Sequence, residues 1–432
     1  MKTNIKKFIH KPFVRNVFLL ATGTAAAQAV TMALSPFITR LYGPEVFGLS
    51  GVFTAVVEII VPIAALTYPI AIVLPKSDKA AKGLIRLSLY ISIIIALLIA
   101  ILVILFNQTI VKIFNIEEIA PFLYLLPLVI LFAGLLQVTE QWLIRKKQFK
   151  ITAKVTFFQS LFLQGSKFGF GFFYPVASVL IFLTVFGQFM KALQLIILAK
   201  KTNYKHNEVE NINPEPYSIR GLAKKHIDFP LFRAPQSFIN AVSSSLPILM
   251  LTSFFGPASA GFYSIGITVL SIPSQLIGKS VGDVFYPRIA DAANNGENLS
   301  YLIKKATLAL GAVGIIPYGM VGVFGPWLFG FVFGPEWIQA GEYARWISLG
   351  VYFMFIYQPS VRALPVLSAQ PFHLKFTIIT LITRLAVLSV GYYVFSSDIV
   401  AIALYSISGA LLNLLLIQQT LIRCKTFNTI PN

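Results

Sequence analysis

Charge is scarce in this sequence: 12% of its 432 residues are charged, against roughly 25% in soluble domains. Acids are scarcer still, 16 Asp and Glu beside 35 Lys and Arg. The one cysteine, Cys424, excludes an intrachain disulfide and a cysteine-based metal site. The four histidines, His10, His206, His226 and His373, stand far apart. No His and carboxylate residues gather at metal-ligand or acid–base spacing, so no metal, no cofactor and no hydrolase or transferase centre is expected. Gly278-Lys279-Ser280 resembles the end of a phosphate-binding loop, but the earlier glycine it requires is Pro273.

What the chain has in abundance is apolar length. Hydrophobic residues make up 56% of it, and its mean hydropathy is +0.77. A helix needs about 20 apolar residues to cross a ~30 Å hydrocarbon core. Twelve blocks meet that need, at 14–39, 46–74, 84–106, 119–140, 152–173, 176–199, 230–254, 261–287, 303–325, 338–361, 373–395 and 398–421. Blocks this long exclude barrel strands, the other way to satisfy a backbone in lipid. The expected fold class is therefore an all-α polytopic membrane protein. Lys2, Lys6, Lys7 and Lys11 followed by Ala25-Ala26-Ala27 imitate a secretory leader. The apolar run continues to Phe37, so a first span rather than cleavage is expected.

Basic residues set the orientation. Arg40, Lys112 and Arg345 fall on one set of alternating connections, and Lys167, Lys191, Lys279 and Arg384 fall inside spans. Every other Lys and Arg falls on the opposite set, which includes both termini. Both termini are therefore expected in the cytoplasm. The net charge of +19 reads as a topology signal and an attraction to anionic lipid, not to nucleic acid.

The sequence is written twice. Residues 34–50, LSPFITRLYGPEVFGLS, turn on Gly43-Pro44 between two apolar runs. In the second half of the chain, LTSFFGPASAGFYSI turns on Gly256-Pro257, and Gly261 answers Gly48. Pro75 and Pro287, FNIEE at 114–118 and FGPEW at 333–337, and Arg145 and Arg362 keep nearly the same offset. The long polar stretch between spans six and seven divides the chain into a six-helix lobe at 1–199, a cytoplasmic linker at 200–229 and a second six-helix lobe at 230–432. An even number of spans per half makes these parallel repeats.

Span one carries Thr24, Gln28, Thr31 and Ser35 on one helix face, and span seven carries Gln236, Asn240 and Ser243 at the matching positions. Such a stripe faces either a packed neighbour or a water-filled cavity. Four span cations face two clearly intramembrane acids, Glu58 and Asp283. An anionic ligand would supply the missing charge. Lys167 and Arg384 are repeat mates, in Ser-Lys and Thr-Arg pairs, and neither has an acid nearby along its own helix. They are the leading candidates for holding a phosphate-like anion. Lys279 either joins them or pairs with Asp283 one helical turn on, and Lys191 either joins them or snorkels. Gln28 and Asn240 complete the candidate substrate set. Glu58 either carries a proton or neutralises one of these cations.

The run from Ala27 to Ser77, with RLYGPEVFG, and VGDVFYPRIAD at 281–291 resemble Wzx-type polysaccharide flippases of the multidrug/oligosaccharidyl-lipid/polysaccharide exporter superfamily. The likeness extends to length, span count and 6+6 layout. It departs at LTYPIA, residues 66–71, where many relatives carry an Arg-Tyr-Glu-like run and this chain has Thr67 and Pro69. The resemblance implies twelve transmembrane helices in two lobes around a central cationic cavity. It implies a transporter, not an enzyme, that moves undecaprenyl-pyrophosphate-linked oligosaccharide repeat units across the bacterial inner membrane by alternating access, for O-antigen, lipopolysaccharide, capsule or exopolysaccharide. Its partners would be that polyprenyl-pyrophosphate-linked glycan, the lipid bilayer and other polysaccharide-assembly proteins. A multidrug exporter of the same superfamily would want acids in the cavity, and a membrane enzyme of polysaccharide assembly would want a catalytic outer loop.

Overall fold

The computed structural model describes residues 12–75, 77–114, 116–203, 218–367 and 369–427. Side chains are described for these except at 12–21, 114, 201–203, 277–284, 287, 294, 426 and 427. The described residues are helical almost throughout and contain no strand. The helices are α1 (Pro12–Leu41), α2 (Pro44–Ile60), α3 (Asp78–Phe114), α4 (Leu126–Arg145), α5 (Phe149–Gly171), α6 (Ala177–Asn203), α7 (Ile219–Lys225), α8 (Ala234–Phe255), α9 (Pro257–Pro273), α10 (Lys279–Asn294), α11 (Leu299–Phe333), α12 (Ile338–Ile356), α13 (Gln358–Ala363), α14 (Gln370–Tyr393) and α15 (Asp398–Phe427). The twelve apolar blocks fall on these helices and on the 3-10 and π turns that continue them. Among the described residues, eight helical stretches are long and apolar enough to cross a membrane. Ile94, Leu98, Leu105, Ile315, Ile316 and Phe331 stand exposed along them, as side chains that meet lipid do.

Spans two and eight are broken at matching places in the repeat. Span two stops at Ile60, passes through the 3-10 turn Val61–Ile63, and resumes as the 3-10 helix Tyr68–Val73. Pro62 and Pro69 remove donors there, and Leu66 and Thr67 take left-handed φ values of 46° and 58°, a conformation that costs a non-glycine residue about 1–3 kcal/mol. Span eight stops at Pro273, passes through the π turn Ser274–Gly278, and resumes as α10. Backbone groups freed inside a membrane need new partners. In span two, Gln137 of α4 donates Nε2 to the Val61 carbonyl at 2.8 Å. Span eight is held at its turn by side chains instead, with Ser274 Oγ 3.0 Å from Tyr318 OH of α11.

The chain forms two compact units, Met1–Tyr42 with Val52–Ser245, and Gly43–Gly51 with Leu246–Asn432. In the first, α1 lies along α5. Thr31 Oγ1 lies 3.2 Å from Ser160 Oγ, Gln164 Nε2 donates to Thr31 Oγ1 at 3.3 Å, and Tyr42 OH donates to the Lys167 carbonyl at 3.0 Å. At another edge of this unit, α7 seats Leu222 against Gly83, Tyr68 OH donates to the Ala223 carbonyl, and Thr67 Oγ1 donates to the Phe229 carbonyl. Arg145 Nε donates to Asp78 Oδ1 at 3.0 Å and Nη1 to the Pro75 carbonyl at 2.6 Å, which ties α4 to the end of the broken span.

In the second unit the core is aromatic, with Tyr263, Phe329, Trp337, Tyr343 and Phe355 buried together. Tyr343 OH and Ser259 Oγ both donate to Asp398 Oδ2, while Asp398 Oδ1 accepts from the Ile399 N–H. The repeat glycines meet here. A methyl at Gly48 would overlap the Pro257 carbonyl, and one at Gly261 would overlap the Pro44 carbonyl. Only glycine lets two helix backbones cross this closely.

Candidate functional site

The polar stripe on α1 divides into two jobs. Thr31 is consumed by packing, bonded to Ala27, Ser160 and Gln164. Ser160 Oγ also reaches the Ala27 carbonyl at 2.9 Å, so this part of the stripe joins α1 to α5. Thr24 is exposed and Gln28 is half-buried. On α8, Ser243 is buried and Asn240 is exposed. Each helix therefore carries one exposed polar position, Thr24 on α1 and Asn240 on α8, whose repeat mate on the other helix is half-buried.

Lys167 sits near the end of α5 and is half-buried. Its main chain is held by the Tyr42 hydroxyl. Among the described residues its ammonium makes no ion pair. Glu58 is exposed on α2 in the same unit. Lys191 on α6 differs from Lys167, since its Nζ donates to Glu140 Oε1 of α4 at 2.9 Å. Glu140 ends span four, far from Lys191 in sequence, and that separation hid the pair. Lys191 is thus neutralised and leaves the candidate set.

Arg384 on α14 belongs to the second unit. Its guanidinium carbon lies 5.3 Å from the centre of the Tyr405 ring, the distance of a cation–π contact. It lines a cavity of about 50 Å³ with Tyr405, Ser406, Asn413 and Met354. That holds a few waters, and so the oxygens of an oxyanion. The Tyr263 ring stands 6.3 Å from Tyr405 and extends the aromatic backing. The site offers a planar fork of donors, an amide and hydroxyls. Lys279 opens α10, immediately after the π turn, and its side chain lies outside the described residues.

Three features escaped the sequence reading: Glu140, the half-buried carboxylate of Asp398 that accepts from Tyr343 and Ser259, and the aromatic support of Arg384. Tyr405 stands on a different helix from Arg384, and nothing in the local sequence joins them.

The family described as polysaccharide biosynthesis protein matches residues 37–342. The succinoglycan biosynthesis transport protein ExoT of Rhizobium meliloti (strain 1021) is 24% identical over 351 residues, 79% of this chain. The chain spans 65% of that relative's length. Among solved structures, an inward-facing multidrug resistance MATE family transporter of the MOP superfamily superposes with a TM-score of 0.74 at 11% identity, over 95% of this chain and 100% of the other. The lipid II flippase MurJ in an inward closed conformation gives 0.73 at 15% identity, over 95% and 90%. The fold is that of these solved structures, an all-helical multi-pass membrane fold.

Proposed function

The chain belongs to the polysaccharide biosynthesis protein family, and on that premise we propose that it is a flippase for polyprenyl-pyrophosphate-linked oligosaccharide. The observation that carries this reading is Arg384, a guanidinium braced on Tyr405 at a cavity of phosphate-oxygen size. Lys167, its repeat mate, is a second intramembrane cation with no ion pair among the described residues. Cations at this depth are costly without an anion, and the diphosphate of a lipid-linked glycan is such an anion. Arg384 receives it as a fork, and Lys167 follows it as a mobile point charge. Gln28 and Asn240 contact the sugar, and the prenyl chain stays in lipid. Glu58 carries a coupling proton. The cycle is alternating access, in a bacterial inner membrane with both termini cytoplasmic. The glycan serves O-antigen, capsule or exopolysaccharide assembly.

The test is a pair of alanine variants. Arg384→Ala and Lys167→Ala, each confirmed as inserted at normal level, should abolish export and leave single lipid-linked units on the cytoplasmic leaflet. Normal export by both variants overturns the reading. Units accumulating on the outer leaflet would point to a polymerase instead.

A further inference from the structure

A second site lies on the lipid-facing side of the second unit, away from Arg384. Helices α11 and α12 pack as an antiparallel pair whose closest approach is Gly325 against Gly341. Moving along α11 from that crossing, the pair opens into a groove of about 370 Å³ lined by Val323, Gly322, Gly319, Ile315, Trp346 and Tyr352. Glycine makes its floor. A side chain placed at Gly319 would meet nothing within 4 Å, and one at Gly322 would meet only the Ser348 hydroxyl at 3.3 Å. Ile315 and Val323 are 61% and 65% exposed, so the groove opens to lipid.

The depth of the groove follows from α11. From Lys305 to Trp327 the helix climbs about 33 Å at 1.5 Å per residue, one hydrocarbon thickness. Lys305 and Trp327 are the residue types that mark the two interfaces. The backbone N–H of Arg345 stands at the level of Gly325, close to the Trp327 interface. The groove then descends from Val323 to Ile315, about 12 Å toward the bilayer centre. An apolar slot that starts at the headgroup level and runs inward has the path of one acyl chain.

Its mouth carries both signs of charge. Arg345 Nη1 donates to Glu342 Oε2 at 3.0 Å, with the two side chains 41% and 32% exposed. One of the five guanidinium donors is used. An anionic headgroup would meet Glu342 as well as Arg345. A headgroup with a phosphate and a primary amine would match both.

We propose that the α11–α12 groove binds one chain of a phosphoethanolamine glycerophospholipid, its phosphate on Arg345 and its ammonium on Glu342. Trp346 reports the chain directly. The full-length protein would be placed in vesicles containing rising fractions of dibrominated phosphatidylethanolamine, phosphatidylcholine or phosphatidylglycerol. The Trp346 signal is the difference between the natural protein and Trp346→Phe. Quenching by the ethanolamine lipid should saturate at a mole fraction at least threefold lower than by either other lipid. Glu342→Gln should erase the advantage over the choline lipid, and Arg345→Gln should remove the saturable component. Gly319→Leu, which fills the slot, should remove it as well. Val323→Trp is the second filling variant if Gly319→Leu does not insert. Equal, linear quenching by all three lipids overturns the site, as does saturable quenching that survives both filling variants. Preference for the glycerol lipid overturns the assignment of Glu342 to the ammonium.

Discussion

Lys167 and Arg384 occupy matching places in the sequence repeat, and their surroundings differ. In the first unit the cation is a lysine whose backbone is anchored by Tyr42, while its ammonium makes no ion pair among the described residues. In the second unit it is an arginine laid over Tyr405 beside a small polar cavity. A guanidinium on a ring is oriented before its ligand arrives, whereas an ammonium on four methylenes is not. The duplicated framework has kept a positive charge at both places and, among the described residues, braced only one of them on an aromatic ring.

The largest effect should come from exchanging the two side-chain types. Arg384→Lys keeps the charge and loses the fork and its stacking, and should reduce export more than tenfold, about 1.4 kcal/mol or more. Lys167→Arg should stay within about threefold. In vivo export assays with matched membrane levels would measure both. Equal losses would mean that the halves use their cations alike and would break the comparison.

The Lys191–Glu140 pair shows how the first unit treats a cation that is structural. Both side chains are partly exposed, 21% and 32%, so the pair lies between the buried and surface limits. Lys191→Met strands a carboxylate inside the helix bundle and should cost about 1–2 kcal/mol, read as a lower thermal midpoint. Adding Glu140→Met should recover most of the loss without changing export. Failure of the double variant to recover would mean that Glu140 has further work.

The two broken spans sharpen the contrast. Gln137→Leu removes the partner of the Val61 carbonyl and should cost about 1 kcal/mol, since hydrogen bonds between membrane helices average about 0.6 and reach about 1.7. Tyr318→Phe removes a hydroxyl from a pair in which Ser274 can turn to its own backbone, and should cost about half as much. Thermal unfolding in one detergent would rank them. The reverse ranking would show that the π turn is the weaker of the two breaks.

The spans, the repeat and its Gly-Pro turns were legible because each is a short local pattern on scales that hydropathy and turn chemistry report. Gly48 and Gly261 were visible as repeat mates, but their contact with each other's helix was not. The breaks were half legible. Pro62, Pro69 and Pro273 stand in the sequence, yet each lies inside an apolar run long enough to cross a membrane, and length alone cannot separate a kinked helix from a stopped one. Glu140 beside Lys191 and Tyr405 beside Arg384 were illegible for one reason: each contact joins two different helices, and packing decides it. The cations could be found from the sequence. Which of them was already neutralised could not.

The smallest predicted effect concerns the segment that braces the first break. Thr67 and Tyr68 bond to Phe229 and Ala223, and His226 lies buried between those two acceptors in sequence. Burial holds its imidazole below the ordinary value of 6.5, the Lys225 charge adds to this, and Asp228 works against it. The unfolded segment therefore takes up a proton before the docked one does. Docking is at full strength above the unfolded value and weakens as pH falls through 6.5 toward the folded one. Amide exchange across residues 219–228 should accelerate a few-fold between pH 7.5 and pH 5.5 after correction for the intrinsic rate, while the second break, whose partner is Tyr318, should not change. His226→Gln should flatten the response. A pH effect of equal size at residues 274–278 would show that acid loosens both units together, and His226 would then not be its cause.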